Sequence, residues 1–199
     1  MVEPNNAIRT LFKYQPESEM EVVREAWRDP KAFGKLYKLY VNRIFGYLFS
    51  KIQNVQEAED LTAQTFLAAF ESFDNLRNEN YFSSWLFTIA RHKAMDHFRT
   101  RKNIEPLQEE VLTSKEGDPL SRAIRSEQAR VVSVLIQELS EDDQELLRLR
   151  FVAELSFPEI ARVVDKNTEA VKKSTYRLLT RLKEQLEVNY EQPTFKSSL

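Results

Sequence analysis

The chain has 199 residues, and its 29 Lys and Arg against 31 Asp and Glu give a formal net charge of −2 at pH 7. It contains no Cys, which excludes disulfide bonds, thiolate metal sites and cysteine nucleophiles. The N-terminus has neither a basic start nor an apolar run, and no stretch reaches the roughly 18 apolar residues that span a bilayer. We therefore expect a cytoplasmic protein without membrane insertion, metal or cofactor.

The first half of the chain is predicted to be helical. Residues 1–17 show no sustained period and are predicted to be a mobile leader, after which a capping box starts a helix over 18–28. Apolar residues over 31–52 follow the i, i+3, i+4, i+7 pattern of a core helix, and a second such stripe covers 58–73. Only three Gly and seven Pro interrupt the whole chain, so the pattern predicts an all-α fold.

The stretch 82–102 has no Gly or Pro, so after a short loop over 74–81 it is predicted to be one continuous helix. Apolar residues, among them Trp85, cover a broad arc of this helix, while basic side chains lie on one open stripe. Rigidly held cations suit a phosphate backbone. A core helix with a solvated basic face explains the same pattern equally well. The basic residues of the stripe are Arg91, Arg99 and Lys102.

A change in composition divides the chain. Residues 103–126 contain two Pro and one Gly, mixed charge and few large apolar side chains, so they are predicted to be a flexible linker. The linker separates a helical domain over 18–102 from a smaller one over 127–187, and residues 188–199 form a tail. The sequence therefore predicts two small helical domains joined by a flexible linker.

The second domain carries the spacing of a helix-turn-helix. Ser140 is predicted to cap a helix whose apolar side includes Phe151, and a capping box at 156–159 starts a short helix. A three-residue turn ends at Asn167, which can cap a long helix that reaches residue 186. Polar side chains on the long helix suit a major groove, although many helical hairpins end in a basic helix without binding DNA. These side chains are Lys172, Lys173, Tyr176 and Arg177.

Three motifs in this order resemble the extracytoplasmic-function group of bacterial RNA polymerase sigma factors. Residues 58–67, AEDLTAQTFL, are similar to the signature of the family's polymerase-binding region two. Residues 82–99 are similar to its promoter-melting helix, and 155–161 with 169–172 and Arg177 are similar to its region four. The similarity covers most of the chain, with a linker where the family has one.

The resemblance implies a non-enzymatic sigma factor that binds core RNA polymerase, recognises a bipartite promoter and assists its melting in stress or envelope signalling. An anti-sigma factor is implied as a further partner. The residues that would bind the polymerase clamp are Asp60, Leu61, Gln64 and Phe66. Those that would bind the minus-ten element are Leu76, Arg77, Asn80, Arg91, His92, Lys93, Asp96 and Arg99. Those that would bind the minus-thirty-five element are Arg150, Lys172, Lys173, Tyr176 and Arg177.

Several positions depart from the family's usual pattern. His92 stands where Asn is common and Gln64 where an acid is common, so we expect a conventional fold with an altered promoter preference. Glu154 and Asp165 stand where Gly is common. A non-Gly residue in a left-handed turn costs about 1 kcal/mol, so both positions are expected to destabilise the fold slightly.

Two other function classes remain open from the residues alone. A polymerase-independent helix-turn-helix repressor would bind operator DNA as a dimer, but it leaves the helices around Asp60 and Trp85 unexplained. An enzyme could use His92 or His97 with Asp96, although the i, i+4 spacing from His92 to Asp96 fits a salt bridge equally well. No Gly-rich phosphate loop, nucleophile elbow or metal-ligand cluster accompanies these residues in the sequence.

Overall fold

A computed structural model of the protein describes residues 16–101 and 131–191, and every regular element in these two ranges is helical. Most of the predicted leader, linker and tail, together with the capping side chain of Ser18, lies outside the described residues. None of the helices in the two ranges is long and apolar enough to cross a bilayer. The helices are α1 (Pro16–Arg28), α2 (Phe33–Ile52), α3 (Val55–Glu71), α4 (Phe82–Arg101), α5 (131–137), α6 (Glu141–Leu147), α7 (Phe157–Val163) and α8 (Thr168–Glu191).

Short turns connect the helices of the first unit. Polar side chains cap the first residues of these turns and helices with hydrogen bonds. Asp29 Oδ1 accepts a hydrogen bond from the Lys31 N–H (3.0 Å), which begins the 3-10 turn Pro30–Ala32 ahead of α2. Asn54 caps α3 in the same way through the Glu57 N–H (3.1 Å). Two further 3-10 turns, Phe73–Asn75 and Glu79–Tyr81, occupy the predicted loop before α4.

Aromatic side chains fill the core of this first unit, α1 to α4. The rings of Tyr40 and Phe82 meet edge to face at 5.2 Å, and those of Tyr47 and Phe87 at 5.7 Å. All four side chains are fully buried. The helical stripes predict this for Tyr40, Phe82 and Phe87 but not for Tyr47, and Tyr37, which the stripe places in the core, is 44% exposed. Trp85 differs, because it is only half-buried and packs against the core from the edge.

In the second unit, α5 to α8, the helices α6, α7 and α8 begin where the sequence predicts. Ser140 Oγ accepts a hydrogen bond from the Asp143 N–H (3.2 Å), and Asn167 Oδ1 accepts one from the Glu169 N–H (2.8 Å). Ser156 and Glu159 form the predicted capping box, in which Glu159 Oε2 accepts from the Ser156 N–H (2.7 Å). Local side-chain chemistry therefore fixes both helices of the helix-turn-helix.

The end of α6 departs from the predicted pattern. Residues Arg148–Val152 form a π-helical turn, and the Ala153 N–H donates to the Arg148 carbonyl (2.9 Å) across five residues. The wider turn changes the helical period, and within it Leu149 is buried while Phe151 is 54% exposed. The prediction that Phe151 lies on the apolar side of this helix is therefore wrong.

Glu154 and Asp165 both adopt left-handed backbone conformations, with φ of 56° and 51°. Asp165 ends α7 in a Schellman arrangement, in which the Lys166 N–H donates to the Ala161 carbonyl (2.9 Å). Glu154 lies in the bend between the π turn and α7. The structure thus confirms left-handed turns at the two positions where the family commonly has Gly.

Replacing Glu154 with Gly should raise the free energy of unfolding by about 1 kcal/mol, because Gly adopts a left-handed conformation without the steric cost of a Cβ atom. Asp165→Gly should give a smaller gain, since Asp tolerates this conformation better than Glu. Urea unfolding followed by circular dichroism measures both. Glu154→Ala keeps the Cβ atom and is the control; an equal gain in that variant would contradict the backbone explanation.

The two units are in direct contact. Helix α4 packs on α7, and α2 packs on the π turn. Buried apolar residues from both units form one continuous cluster, which extends from Val23 in α1 to Val171 in α8. The two predicted domains therefore share an interface in this structure.

Candidate nucleic-acid interface

The outer face of α3 presents a mixed polar and apolar surface. Asp60 and Gln64 are exposed, and Leu67 lies on the same stripe at 58% exposure. Phe70 next to it is 50% exposed, and Tyr37 of α2 joins the patch through an edge contact with Phe66. We call Tyr37, Asp60, Gln64, Leu67 and Phe70 the α3 face. Leu61 and Phe66 are each only 5% exposed, so they lie on the core-facing side of α3 and pack this helix against the core.

The loop before α4 is tied to α1. Arg24 donates two hydrogen bonds to Glu79 Oε1, at 3.0 and 2.7 Å. The hydrogen bond from Arg24 lowers the pKa of the Glu79 carboxyl below its ordinary value. Arg77 and Asn80 of this loop are exposed, whereas Leu76 is buried. Arg77 and Asn80 are therefore accessible to a ligand, on a loop whose backbone is held in place by the Arg24–Glu79 contact.

Helix α4 distributes its predicted nucleic-acid residues over three sides. His92, Asp96 and Arg99 lie on one exposed stripe, and Arg99 Nη2 pairs with Asp96 Oδ1 at 3.2 Å. Arg91 and Lys93 are half-buried on opposite flanks of that stripe. Of the five predicted residues on α4, the structure thus brings His92, Asp96 and Arg99 together and separates Arg91 and Lys93 from them.

The C-terminal end of α4 is held against the start of α3. Glu57 Oε2 lies 3.0 Å from His97 Nε2 and 3.2 Å from Arg101 Nη1. His97 therefore faces a structural carboxylate of α3 instead of sharing the exposed stripe with His92 and Asp96. In the described ranges, no three or more acidic or His side chains cluster as metal ligands would.

Arg91 points toward the second unit, where it meets a buried cluster of charges. Its Nε lies 3.4 Å from Glu145 Oε1 of α6, and Lys51 Nζ donates to Glu145 Oε2 at 2.8 Å. The Tyr47 hydroxyl donates to Glu145 Oε1 at 2.6 Å. The side chains of Lys51 and Glu145 are only 8% and 6% exposed. Glu145 is thus shared among three partners from the first unit.

Burial and charge change the acidity of two groups in this cluster. Burial, reinforced by the nearby Glu145 carboxylate, raises the pKa of the Tyr47 hydroxyl well above its ordinary value. Burial alone would raise the pKa of Glu141, but the hydrogen bond from Lys51 and the charges of Lys51 and Arg148 lower it. Around neutral pH, Tyr47 is therefore a neutral hydrogen-bond donor and Glu141 is an anion.

The first half of α8 carries the predicted major-groove side chains on one side. Lys173, Tyr176 and Arg177 are exposed, and Lys172 is half-buried beside them. Val171 and Leu178 are buried on the opposite side. This is the arrangement of a recognition helix in a helix-turn-helix.

Arg150 reaches the same surface through a stack of side chains. Its guanidinium lies 4.7 Å from the centre of the Phe157 ring, and that ring lies 5.8 Å from the ring of Tyr176. Arg150 Nη1 also donates to the Leu155 carbonyl at 2.8 Å. The structure therefore brings Arg150 next to α8, with part of its hydrogen-bonding capacity used to hold the bend before α7.

Sequence reasoning missed two features of these surfaces. Leu67 follows Asp60 by seven residues, so a helical projection could have placed it on the α3 face. The Arg24–Glu79 pair joins residues that are 55 positions apart, and no local pattern signals it.

The chain is similar to known proteins in both of its units. The chain matches the family model for sigma-70 region 2 over residues 36–104 and that for sigma-70 region 4 over residues 129–182. ECF RNA polymerase sigma factor BldN of Streptomyces coelicolor is 33% identical over 168 residues, which are 82% of this chain and 64% of that protein. RNA polymerase sigma-H factor of Pseudomonas aeruginosa is 29% identical over 81% of this chain and 90% of that protein. The structure of CnrH in complex with the cytosolic domain of CnrY is similar with a TM-score of 0.62 and 25% identity, over 86% of this chain and 98% of that chain.

A region 2 unit followed by a region 4 unit defines a sigma factor of the sigma-70 type. The chain belongs to the extracytoplasmic-function group of that family. As a sigma factor, it binds core RNA polymerase and promoter DNA in transcription initiation. A polymerase-independent repressor is not favoured, because that function leaves region 2 without a role.

Proposed function

We propose that this sigma factor binds polymerase and the two promoter elements through three separate surfaces. The α3 face binds the polymerase clamp, the loop before α4 and the exposed stripe of α4 bind the minus-ten element, and the first half of α8 binds the minus-thirty-five element. The factor acts in the cytoplasm and performs no covalent chemistry. The observation that carries the proposal is that each surface consists mainly of exposed side chains, held by a helix or loop whose other side is fixed in the core.

The α3 face has the composition of a protein-binding surface. Leu67 and Phe70 are large apolar side chains exposed to solvent, and exposed patches of this kind rimmed by polar groups commonly bind proteins. Asp60 and Gln64 supply the polar groups beside them. Leu61 and Phe66 contribute to the same contact by holding α3 in place from the core.

The minus-ten surface combines base and backbone contacts. Arg77, Asn80, His92 and Asp96 are exposed hydrogen-bonding groups, which suit the edges of an unstacked base. Arg99 is 81% exposed in its side chain and suits the phosphates of the same strand. Leu76 is buried and positions the loop. Lys93 and Arg91 flank this stripe, Lys93 on one side and Arg91 on the side that faces Glu145.

The minus-thirty-five surface combines cations with a phenol. Lys172, Lys173 and Arg177 offer positive charge to phosphates or guanine edges, and Tyr176 offers a hydroxyl and an apolar ring. Arg150 adds a fifth polar side chain through its stack on Phe157. A recognition helix that is capped by Asn167 and packed through Val171 presents these groups rigidly.

An anti-sigma factor is the further partner that we propose. CnrH was solved in complex with the cytosolic domain of CnrY, and its chain is covered almost completely by the match to this protein. A regulator that binds the present chain would compete with polymerase or promoter for the surfaces described above.

Binding of the purified chain to core RNA polymerase, followed by run-off transcription from genomic fragments, tests the proposed function as a whole. Promoter-specific transcripts that require the chain would support it. No binding to core, together with tight binding of duplex DNA by the chain alone, would contradict it.

Replacing Leu67 with Asp should weaken core binding about 30-fold, the effect of losing a contact worth about 2 kcal/mol at a protein interface. The charge would lie in the middle of the α3 face, where it would have to be desolvated. Leu39→Asp is the matched control, because Leu39 is 51% exposed and points about 200° away from Tyr37 around α2. Fluorescence anisotropy of the labelled chain with core polymerase measures both. Equal losses in the two variants would refute the assignment of the α3 face.

A further inference from the structure

A groove of about 570 Å³ lies between α5 and the second half of α8. Leu135 of α5 is the buried apolar side chain of this groove, whereas Val134 beside it is 48% exposed and Val188 of α8 is 60% exposed. Exposed apolar side chains that line a concave surface favour a segment that covers them. We call this surface, between residues 131–138 and 181–188, the α5–α8 groove.

The rim of the α5–α8 groove is acidic. Glu138 and Glu184 line it with exposed carboxylates, one from each helix. The guanidinium of Arg181, which also lines the groove, is paired with Asp143 Oδ2 at 2.9 Å. The two glutamates thus leave negative charge beside the exposed valines. A segment that carries a large apolar side chain next to a basic one is complementary to this surface.

Residues 192–199, QPTFKSSL, have this composition and follow α8 directly. We call them the C-terminal segment. Phe195 is their one aromatic residue, Lys196 stands next to it, and the segment contains no acidic residue. Pro193 lacks a backbone N–H and its ring clashes with the preceding helical turn, so it disfavours continuation of α8 along its axis.

The C-terminal segment is close enough to reach the α5–α8 groove. Helix α8 ends at Glu191, and the level of Gln185 in the groove is six residues, or about 9 Å, back along the axis. The four residues 192–195 extend to about 13 Å, so Phe195 can return to that level. A tether this short gives a local concentration in the millimolar range, which favours the segment over a second copy of the chain.

We propose that the C-terminal segment folds back on region 4 and inserts Phe195 between Val134 and Val188, with Lys196 beside Glu138 and Glu184. The docked segment closes the α5–α8 groove to other apolar segments. It lies on the second half of α8, whereas the side chains proposed to bind the minus-thirty-five element lie on the first half. The docking therefore does not depend on the promoter contacts proposed above.

The reactivity of an introduced cysteine tests the docking, because the natural chain contains none. Val134→Cys places a thiol in the groove. N-ethylmaleimide should modify it about 5-fold more slowly than in the same variant carrying Phe195→Ala, which corresponds to a segment that is docked about 80% of the time. Equal rates with and without Phe195 would overturn the proposal.

Val132→Cys is the matched control for this experiment. Val132 is 36% exposed on the same helix and points about 200° away from Val134. Its rate of modification should not change when Phe195 is replaced with Ala. A rise at both positions would show that Phe195 acts on the helix as a whole, and it would overturn docking in the groove.

Protein concentration distinguishes the C-terminal segment from a second copy of the chain. Docking within one chain is independent of concentration, so the V134C rate should be the same at about 1 and about 100 µM protein. A rate that falls at the higher concentration would overturn the proposal and assign the groove to a second copy.

Reversal of one charge tests the role of Lys196. Lys196→Glu should raise the V134C rate about 3-fold at low salt, because the new carboxylate would lie beside Glu138 and Glu184. Lys183→Glu changes the net charge equally at a position of α8 that is 76% exposed in its side chain, and it should not raise the rate. Equal effects of the two substitutions would overturn the proposed contact of Lys196 with the rim.

Discussion

Replacing Lys172 and Arg177 together with Ala should weaken binding of the holoenzyme to promoter DNA about 100-fold. Each residue offers one cationic contact to phosphate or a guanine edge, and such contacts are worth about 1–3 kcal/mol each. Both lie on the side of α8 that faces away from the buried Val171 and Leu178, so their loss leaves the packing of the helix intact. The slope of log affinity against log salt should fall by about two units if both contacts are to phosphates.

Anisotropy titrations of duplex promoter DNA at several salt concentrations measure both quantities. Lys183→Ala is the control, because Lys183 lies about 9 Å beyond Arg177 along α8 and pairs with Glu187 at 3.6 Å. It should leave the affinity nearly unchanged. If the double variant binds with the natural affinity and salt slope, α8 is not the helix that binds the minus-thirty-five element.

Replacing Phe82 with Ala should lower the free energy of unfolding of the region 2 unit by about 3–5 kcal/mol. The Phe82 side chain is fully buried and lies at the centre of an aromatic cluster. Its ring centre is 5.2 Å from that of Tyr40, 6.2 Å from that of Phe73 and 6.0 Å from that of Trp85. Truncation therefore removes both buried area and several edge contacts.

Trp85→Ala provides the comparison, because Trp85 is only half-buried and should cost about 2 kcal/mol, roughly half the value for a fully buried aromatic. Phe82→Leu retains most of the volume and should cost less than about 1.5 kcal/mol, which keeps the test measurable if the Ala variant does not fold. Guanidinium unfolding of the three variants gives the order. A larger loss for Trp85→Ala than for Phe82→Ala would show that the core is centred elsewhere.

The features that could be predicted from the sequence are those that depend on neighbouring residues. Ser140, Ser156 and Asn167 start helices through hydrogen bonds that span two or three positions, so the sequence alone reveals them. Helical periodicity likewise separates the buried side of α8 from Lys173 and its exposed neighbours. The division into two helical units follows from the same local information.

The features that could not be predicted depend on contacts between distant parts of the chain. Glu145 lies on a polar position of α6 and would be expected in solvent, yet region 2 covers it with Tyr47 and Lys51. The π turn escapes prediction because it changes the helical period by one residue over a single turn, which exposes Phe151. Trp85 lies at the edge of the core because the neighbouring Phe82 and Phe73 fill its centre.

The ion pair between Arg24 and Glu79 matters for attempts to change promoter preference by exchanging the loop before α4 between sigma factors. A transplant of residues 74–81 into a related factor would carry the Glu79 carboxylate into a protein whose first helix need not offer a guanidinium at the matching turn. The transplanted loop would then lose its tether to α1, and Arg77 and Asn80 would be displayed from a backbone of different shape. A successful exchange therefore has to move a residue from the first helix together with the loop, because the recognition unit is discontinuous in sequence.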